Sequence, residues 1–380
     1  MAMRLSTVVI LALAASSVLA QPAPASRPAL RWYKGNTHTH TINTDGDSPV
    51  DEVVRWYRQQ KYHFLVLSDH DMVTPVEALN SIYGAPSTVS GVRRPDVPSN
   101  PFLVIPGEEV TDKFSPREQA GEAVTGRDLA SKELHLTAVN LRKPVVPQAG
   151  GSVSEVLQRD VDAIRAAGGF PIVNHPNFVW AFGAAELQGL KNVKAFELWN
   201  GHTQTHNLGG AGRPGTEQIW DQVLSAGTLL YGVGADDSHQ FRNPGVPGLI
   251  SAPGRAWIMV RAPELTAEAI VAAMERGDFY ASTGVELEDY VVAADSITIK
   301  VRPQSRSKYD VTFIGKGGRV LQTMPVDPDL SGSGATGPLR IVAPPAVYKI
   351  KGDEGYVRAK IVESNGNLAW TQPVMVPVGR

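Results

Sequence analysis

Phe64-Leu65-Val66-Leu67-Ser68-Asp69-His70-Asp71 is the stretch that sets the reading of the chain. Its first half is an unbroken apolar run, the pattern of a strand buried on both faces. Its second half turns abruptly polar and offers side chains that bind metals. The same junction recurs on either side. The strand-like run 32–37 ends in His38-Thr39-His40. Residues 102–105 lead to Gly107-Glu108-Glu109, the run 134–139 carries His135, and residues 171–173 lead to Asn174-His175-Pro176. The run 195–198 precedes Asn200-Gly201-His202, and the run 229–233 precedes Asp236-Asp237-Ser238-His239.

Helix-like segments separate these runs. Ser48 reads as an N-cap with Pro49 at the first helical position, and Val53, Val54 and Tyr57 follow at helical spacing. Residues 152–167, closed by Gly168-Gly169, read as a second helix, and 216–226 and 266–276 as two more. Repeated strand–helix alternation predicts an α/β barrel or a doubly wound sheet. Past residue 287 the pattern changes to period two, as at Ile297, Ile299 and Val301 and at Tyr309, Val311 and Phe313. That alternation predicts half-buried antiparallel strands and a small C-terminal β-sandwich-like domain over 287–380. Residues 327–337 read as a mobile loop.

The 380-residue chain is long enough to bury a large core. It has no cysteine, which excludes disulfides, thiolate metal sites, iron–sulfur clusters and thiol nucleophiles. A net charge of −2 argues against a dedicated nucleic-acid binder. Residues 1–20, MAMRLSTVVILALAASSVLA, place one arginine before an apolar run that closes in small residues, the layout of a secretory signal peptide. Residues 21–31 read as a linker and 32–286 as the main domain. The mature protein is expected to be exported, to the periplasm or beyond, with no membrane span after signal removal.

Histidine and carboxylate placement carries the chemistry. On a strand, positions i and i+2 share a face, so His38 and His40 can grip one ion. An H-x-H pair, a D-x-H pair or one core histidine is weak evidence alone. Successive strand ends presenting His, Asp or Glu are stronger, because active sites of α/β barrels collect there. So many imidazoles and carboxylates packed together without a metal would leave polar groups unpaired at high cost.

Taken in order, the H-x-H pair, Asp45-Gly46, Ser68-Asp69-His70, Pro106-Gly107-Glu108-Glu109, His135-Leu136, Asn174-His175-Pro176 and the D-x-H of Asp237 and His239 resemble the PHP (polymerase and histidinol phosphatase) superfamily. The resemblance spans roughly residues 32–285. Together with the leader and the β-rich tail, it is closest to the secreted, carbaryl-hydrolase-like subgroup; Ala281-Ser282-Thr283-Gly284 and Trp370-Thr371-Gln372-Pro373 also fit it. It implies a distorted seven-stranded (β/α) barrel holding two or three divalent ions, zinc, manganese or iron. His38, His40, Glu109 and Asp237 would hold the first, and Glu109 would bridge to a second on His135 and His175. Asp45, His70 and His239 would hold the third.

Glu109 is preferred over Glu108 because the family places its glutamate two residues after the glycine. Asp237 is preferred over Asp236 for its spacing to His239. Asp69 and Asp71 are expected to orient His70, and His63 to be structural. Where Asp45 stands the family often has histidine, a variation that bears on metal preference. His202, His206, Arg213 and Arg242, on loops after the sixth and seventh strands, are candidate substrate-binding residues. Glu197 is expected either to support a ligand or to pair with one of these arginines.

The implied activity is hydrolysis by a metal-bound hydroxide held by Glu109, Asp237, His38 and His40. A phosphoesterase acting on a small organic phosphate leads. A carbamate, ester or amide hydrolase is the alternative, which aromatic walls from Trp180, Phe182, Trp199 or Phe241 would favour. A metal-containing binding protein comes third.

Overall fold

The computed structural model describes residues 29–84, 101–122, 130–304, 307–329 and 341–376. The leader 1–20, most of the linker 21–31 and most of the loop 327–337 lie outside these residues. β1 (Arg31–Asn36) is followed by α1 (Val50–Gln59), β2 (Phe64–Leu67), α2 (Glu77–Tyr83) and β3 (Leu103–Phe114). Then come α3 (Pro116–Gln119), β4 (Lys132–Val139), α4 (Val153–Ala166), β5 (Phe170–Val173), α5 (Ala184–Gly189) and β6 (Ala195–Asn200). The unit ends with α6 (Thr216–Ser225), β7 (Tyr231–Ala235), β8 (Trp257–Ala262), α7 (Ala267–Arg276) and β9 (Phe279–Ser282).

Strands β1 to β7 lie side by side in chain order. The pairs β1–β2, β2–β3, β5–β6 and β6–β7 are parallel, whereas β4 runs antiparallel to both its neighbours. Along its length β1 also pairs with β8. Beyond β1 and β7 the segments that follow the two strands meet: Thr39 and Ser238 form a parallel bridge. There the Asp237 N–H donates to the His38 carbonyl at 3.0 Å, and the His40 N–H to the Ser238 carbonyl at 2.9 Å. This junction brings the H-x-H and D-x-H motifs together.

The strands are short and wholly apolar where helices cover them. All of β2, β5 and β7 is buried. A Cβ on Gly35 would stand 2.1 Å from the Phe64 ring, so only glycine lets β1 lie this close to β2. Three helix starts follow their caps: Ser152 accepts from the Glu155 N–H, Thr266 from the Ala269 N–H, and Ser115 from the Glu118 N–H. Ser48 is not a cap. Its hydroxyl donates to Asp47 at 2.9 Å, and the helix starts one residue later, after an extended Pro49.

The remaining strands are β10 (Glu286–Val292), β11 (Ser296–Arg302), β12 (Tyr309–Gly315), β13 (Arg319–Val326), β14 (Ala346–Lys349), β15 (Tyr356–Glu363), β16 (Leu368–Thr371) and β17 (Val374–Met375). β10, β11 and β14 make a small sheet of their own. β12, β13, β15 and β16 extend the main sheet, because β16 pairs with β9. Ile297, Ile299 and Val301 of one sheet share a core with Val311, Phe313 and Ile361 of the other. The Ala281 and Trp370 motifs are register partners in the β9–β16 ladder.

Candidate metal centre

Glu109 sits at the centre of the site. Its Oε1 lies 3.2 Å from His38 Nε2, His135 Nδ1 and His175 Nε2 alike, and accepts the Asn174 side-chain N–H at 2.8 Å. Its Oε2 lies 3.3 Å from His40 Nε2 and 3.2 Å from His70 Nδ1. Asp237 Oδ1 stands 3.4 Å from both His38 and His40 and 3.6 Å from His239. Asp45 closes the open side, with Oδ2 3.4 Å from His70 and 3.2 Å from His239.

Three sets of side chains converge closely enough to share an ion. His40, Asp45, His70 and His239 form one, His38, His40 and Glu109 another, and His70, Glu109 and His135 a third, each set within 4.8 Å. His40 thus joins the set implied for Asp45, His70 and His239. His175 reaches Glu109 from outside these sets.

The donor chemistry fits divalent cations. Glu109 has two oxygens for the imidazoles of five histidines. His38 Nε2 and His40 Nε2 face each other at 3.1 Å. Among the described residues, the buried nitrogens His40 Nδ1, His135 Nε2 and His175 Nδ1 have no hydrogen-bond partner. Nitrogen lone pairs and carboxylates crowded together in this way are donors that could hold divalent ions.

Electrostatics follow from the crowding. Burial alone would raise the Glu109 carboxyl, but His38 and His135 outweigh it and hold it well below the usual range. Asp237 behaves the same way, with His38 and His40 opposing its burial. Burial alone would lower His135, yet Glu109 and then Glu133 lift it to about 10.

The neighbouring carboxylates have other tasks. Glu108 points away, accepting the Val145 N–H at 2.8 Å, and burial raises it to about 7. Asp236 accepts the N–H groups of Gly254, Arg255 and Ala256 at 2.8, 2.6 and 2.8 Å, and the Tyr57 hydroxyl at 2.8 Å. Glu197 pairs with no arginine among the described residues. Its Oε1 meets His38 Nδ1 at 2.7 Å, and its Oε2 accepts the His175 N–H at 2.9 Å.

Several expectations need correction. Asp69 does not touch His70; it accepts the N–H and hydroxyl of Thr41 at 2.7 and 2.9 Å, and the Thr44 hydroxyl at 2.8 Å. It therefore shapes the turn that presents Asp45. Asp71 accepts the Thr111 N–H at 2.8 Å, and Thr111 Oγ1 meets His70 Nδ1 at 2.6 Å. Thr111 thus meets His70 Nδ1 directly, with Asp71 behind it on the Thr111 N–H, while Asp45 faces His70 Nε2. Glu109 is not at a strand end, because β3 runs on to Phe114 as one arm of the hairpin with β4. His135 accordingly enters from the middle of an antiparallel strand.

His63 accepts the Lys34 N–H at 3.0 Å and packs against Tyr33, a structural role. His202 reaches the rim, its ring 6.0 Å from that of His239 and 6.2 Å from that of Phe178. His206 stacks on Trp180 at 4.6 Å, and Arg213 lies over the same ring. Arg242 is exposed on the 242–250 loop, its backbone N–H on Asp47. Phe241 is core, packed on Trp56 and Tyr57. Asn174 and Asn200 were missed as functional groups, although each adjoins a quoted motif. Asn200 donates to Glu197 at 2.8 Å and to Asp237 at 3.1 Å.

No protein-family model matches the chain, and no curated protein matches it. Solved structures similar to it include a two-domain protein from Bacteroides vulgatus containing a predicted PHP-like metal-dependent phosphoesterase. The two are 14% identical, with 91% of this chain and 96% of that one covered and a TM-score of 0.44. A lesion-specific endonuclease from Pyrococcus furiosus is 12% identical over 65% of this chain and 56% of its own, with a TM-score of 0.35. An amidohydrolase from Chromobacterium violaceum, with bound sulfate and no metal, is 14% identical over 57% of this chain and 89% of its own, with a TM-score of 0.33.

Proposed function

We propose that this chain is a metal-dependent hydrolase of the PHP type that cleaves phosphate esters of small organic molecules. The observation that carries the reading is the Glu109 carboxylate shared among His38, His40, His70, His135 and His175. Divalent ions on these ligands would supply Lewis-acid polarisation of the substrate and a more acidic water.

The chain's own residues prepare that chemistry. Glu197 fixes the His38 ring with its Nδ1–H inward to the carboxylate, leaving Nε2 toward Glu109. Thr111 sets the His70 ring, and Asn174 and Asn200 pin the carboxylates of Glu109 and Asp237. His202 Nδ1 accepts the Gln204 N–H at 3.3 Å, which leaves Nε2 as the protonated nitrogen, a donor for a substrate oxygen. The leader at residues 1–20 supports an exported protein.

One observation favours the carbonyl alternative. A cleft of about 460 Å³ beside His202 is walled by Trp199, His206 and Leu208. Its arginine, Arg255, spends its guanidinium on the carbonyls of Gly201, Leu249 and Ile250. That wall suits an uncharged group better than an anion. Purified protein reloaded with manganese or zinc would be assayed on an aryl phosphate and on the matching carbamate and acetate. His38→Ala serves as the blank. Faster phosphate cleavage, lost in the variant, supports the phosphoesterase. Faster carbonyl cleavage overturns it in favour of the alternative.

A further inference from the structure

A second cleft takes Arg213 and Pro214 of the 200–215 loop into its wall. It measures about 340 Å³ and is lined by Lys132, Asn177, Trp180, Phe182, Glu186 and Arg213, among others. The Lys132 ammonium donates to the Trp180 carbonyl at 3.0 Å, one of its three possible bonds. Arg213 lies with its guanidinium 5.3 Å from the Trp180 ring centre. Among the described residues, neither cation forms an ion pair. The one carboxylate in the wall, Glu186, is engaged by the Gly183 N–H at 2.8 Å. Two cations outside any ion pair, against one carboxylate, thus border an apolar surface made by Trp180, Phe182 and Ile219.

The cleft is also held in a costly shape. Val179 and Trp180 both have positive φ, 45° and 54°. A β-branched residue in that region is strained, and such strain persists where surrounding contacts impose it. Here the contacts come from Asn177, whose side-chain amide donates to the carbonyls of His206 and Pro214 at 3.1 and 3.0 Å. That bridge ties the loop bearing Arg213 to the segment bearing Trp180. Phe178, in the same segment, packs its ring against His175. One short stretch of chain therefore serves both the cluster and the cleft.

We infer that this cleft is a second small-molecule site, which binds an organic anion: a carboxylate or phosphate carried on a ring. Lys132 and Arg213 take the anionic group, and the Trp180 and Phe182 wall takes the ring. The volume suits a compact ligand, at the small end of ordinary pockets. The inference stands apart from the reaction at the metal centre. Its ligand comes either as the non-reacting end of a substrate or as a separate molecule.

The test is calorimetric titration of the purified protein with benzoate, repeated at raised salt. Lys132→Met, Arg213→Gln and His38→Ala are titrated beside it. Both cleft residues reach the surface, and matching thermal melts check that their variants fold. Binding that weakens about tenfold in each cleft variant, weakens with salt, and survives His38→Ala supports the site. Rescue of the lysine effect by Lys132→Arg supports it further. Equal affinity in the wild type and both cleft variants, or loss in His38→Ala alone, overturns it. Inhibition of aryl phosphate turnover then separates the sources. Competition by benzoate marks a substrate's distal end, and a change in kcat marks an independent ligand. Absence of all turnover with cleft binding intact would sink the phosphoesterase reading and leave this one standing.

Discussion

On β3 successive side chains leave opposite faces, so Glu109 enters the histidine cluster while Glu108 turns to the Val145 N–H. Glu109→Gln keeps the shape and removes the charge shared by the imidazoles. Calorimetry with manganese or zinc should show affinity lowered roughly 100-fold or more, whereas Glu108→Gln should bind nearly as the parent does. The reverse ranking would mean the wrong glutamate holds the site. Asp160 gives a different test. Burial, helped by Asp112 and Asp71 and opposed by the Gln148 N–H, raises its carboxyl from 3.8 to about 7. The folded state then keeps a proton that the unfolded chain has lost between those values. The stability this proton contributes is complete below the lower value and is lost as pH rises through the upper one. Asp160→Asn retains an acceptor for Gln148 but cannot ionise. Its urea midpoint should exceed the parent's at pH 8 and converge on it near pH 4; parallel curves would refute the assignment. Most residues of the histidine–carboxylate cluster were legible because they stand in short motifs of distinctive residue types. Thr111 was not, because a threonine in a strand carries no mark of the histidine it will meet.

The elements were legible where their apolar pattern was local. β2, β5 and β7 stand out as unbroken apolar runs, and Ser152 and Thr266 announce their helices. The β3–β4 hairpin was missed at this scale. Strand direction depends on the partner, and nothing in residues 110–114 tells a strand that continues from a loop that begins. The consequence reaches the site, since His135 meets Glu109 only because β4 runs antiparallel beside β3. Strand spacing is itself testable at Gly35, where a Cβ would stand 2.1 Å from the fully buried Phe64 ring. Gly35→Ala should cost about 1–3 kcal/mol in urea unfolding, the usual penalty for overpacking. Adding Phe64→Leu should cost less than the sum of the single changes, because the smaller side chain vacates the contested space. Simple additivity would place the strain elsewhere.

At the scale of the whole molecule, the sheet does not stop where the alternating pattern stops. β16 pairs with β9, and Gln372 clasps Gly232 of β7 with both halves of its amide, at 2.8 and 2.9 Å. Trp370 stacks on Trp199, whose strand ends beside the histidine–carboxylate cluster. An ionic seam adds to this. Arg358 of β15, only 1% exposed, donates twice to Asp221 of α6 at 2.8 Å. Glu217 lies 3.6 Å from the same guanidinium, and Tyr356 donates to Asp221 at 2.7 Å. A change of composition near residue 287 therefore marks a change of strand pattern, not a mechanical joint. Sequence periodicity registers the first and is blind to the second, because long-range pairing such as Ala281 with Trp370 has no local signature. If the two parts share a sheet and a core, they should unfold together. Calorimetry of the parent should show one transition, with van't Hoff and measured enthalpies equal. Arg358→Met should destabilise by about 3 kcal/mol, since it leaves the carboxylates of Asp221 and Glu217 without their buried partner. Adding Asp221→Asn should recover part of that loss by removing the stranded charge. Two transitions in the parent, or a tail that melts while the metal-binding strands persist, would mean that the seam is a contact between independent units rather than part of one cooperative structure.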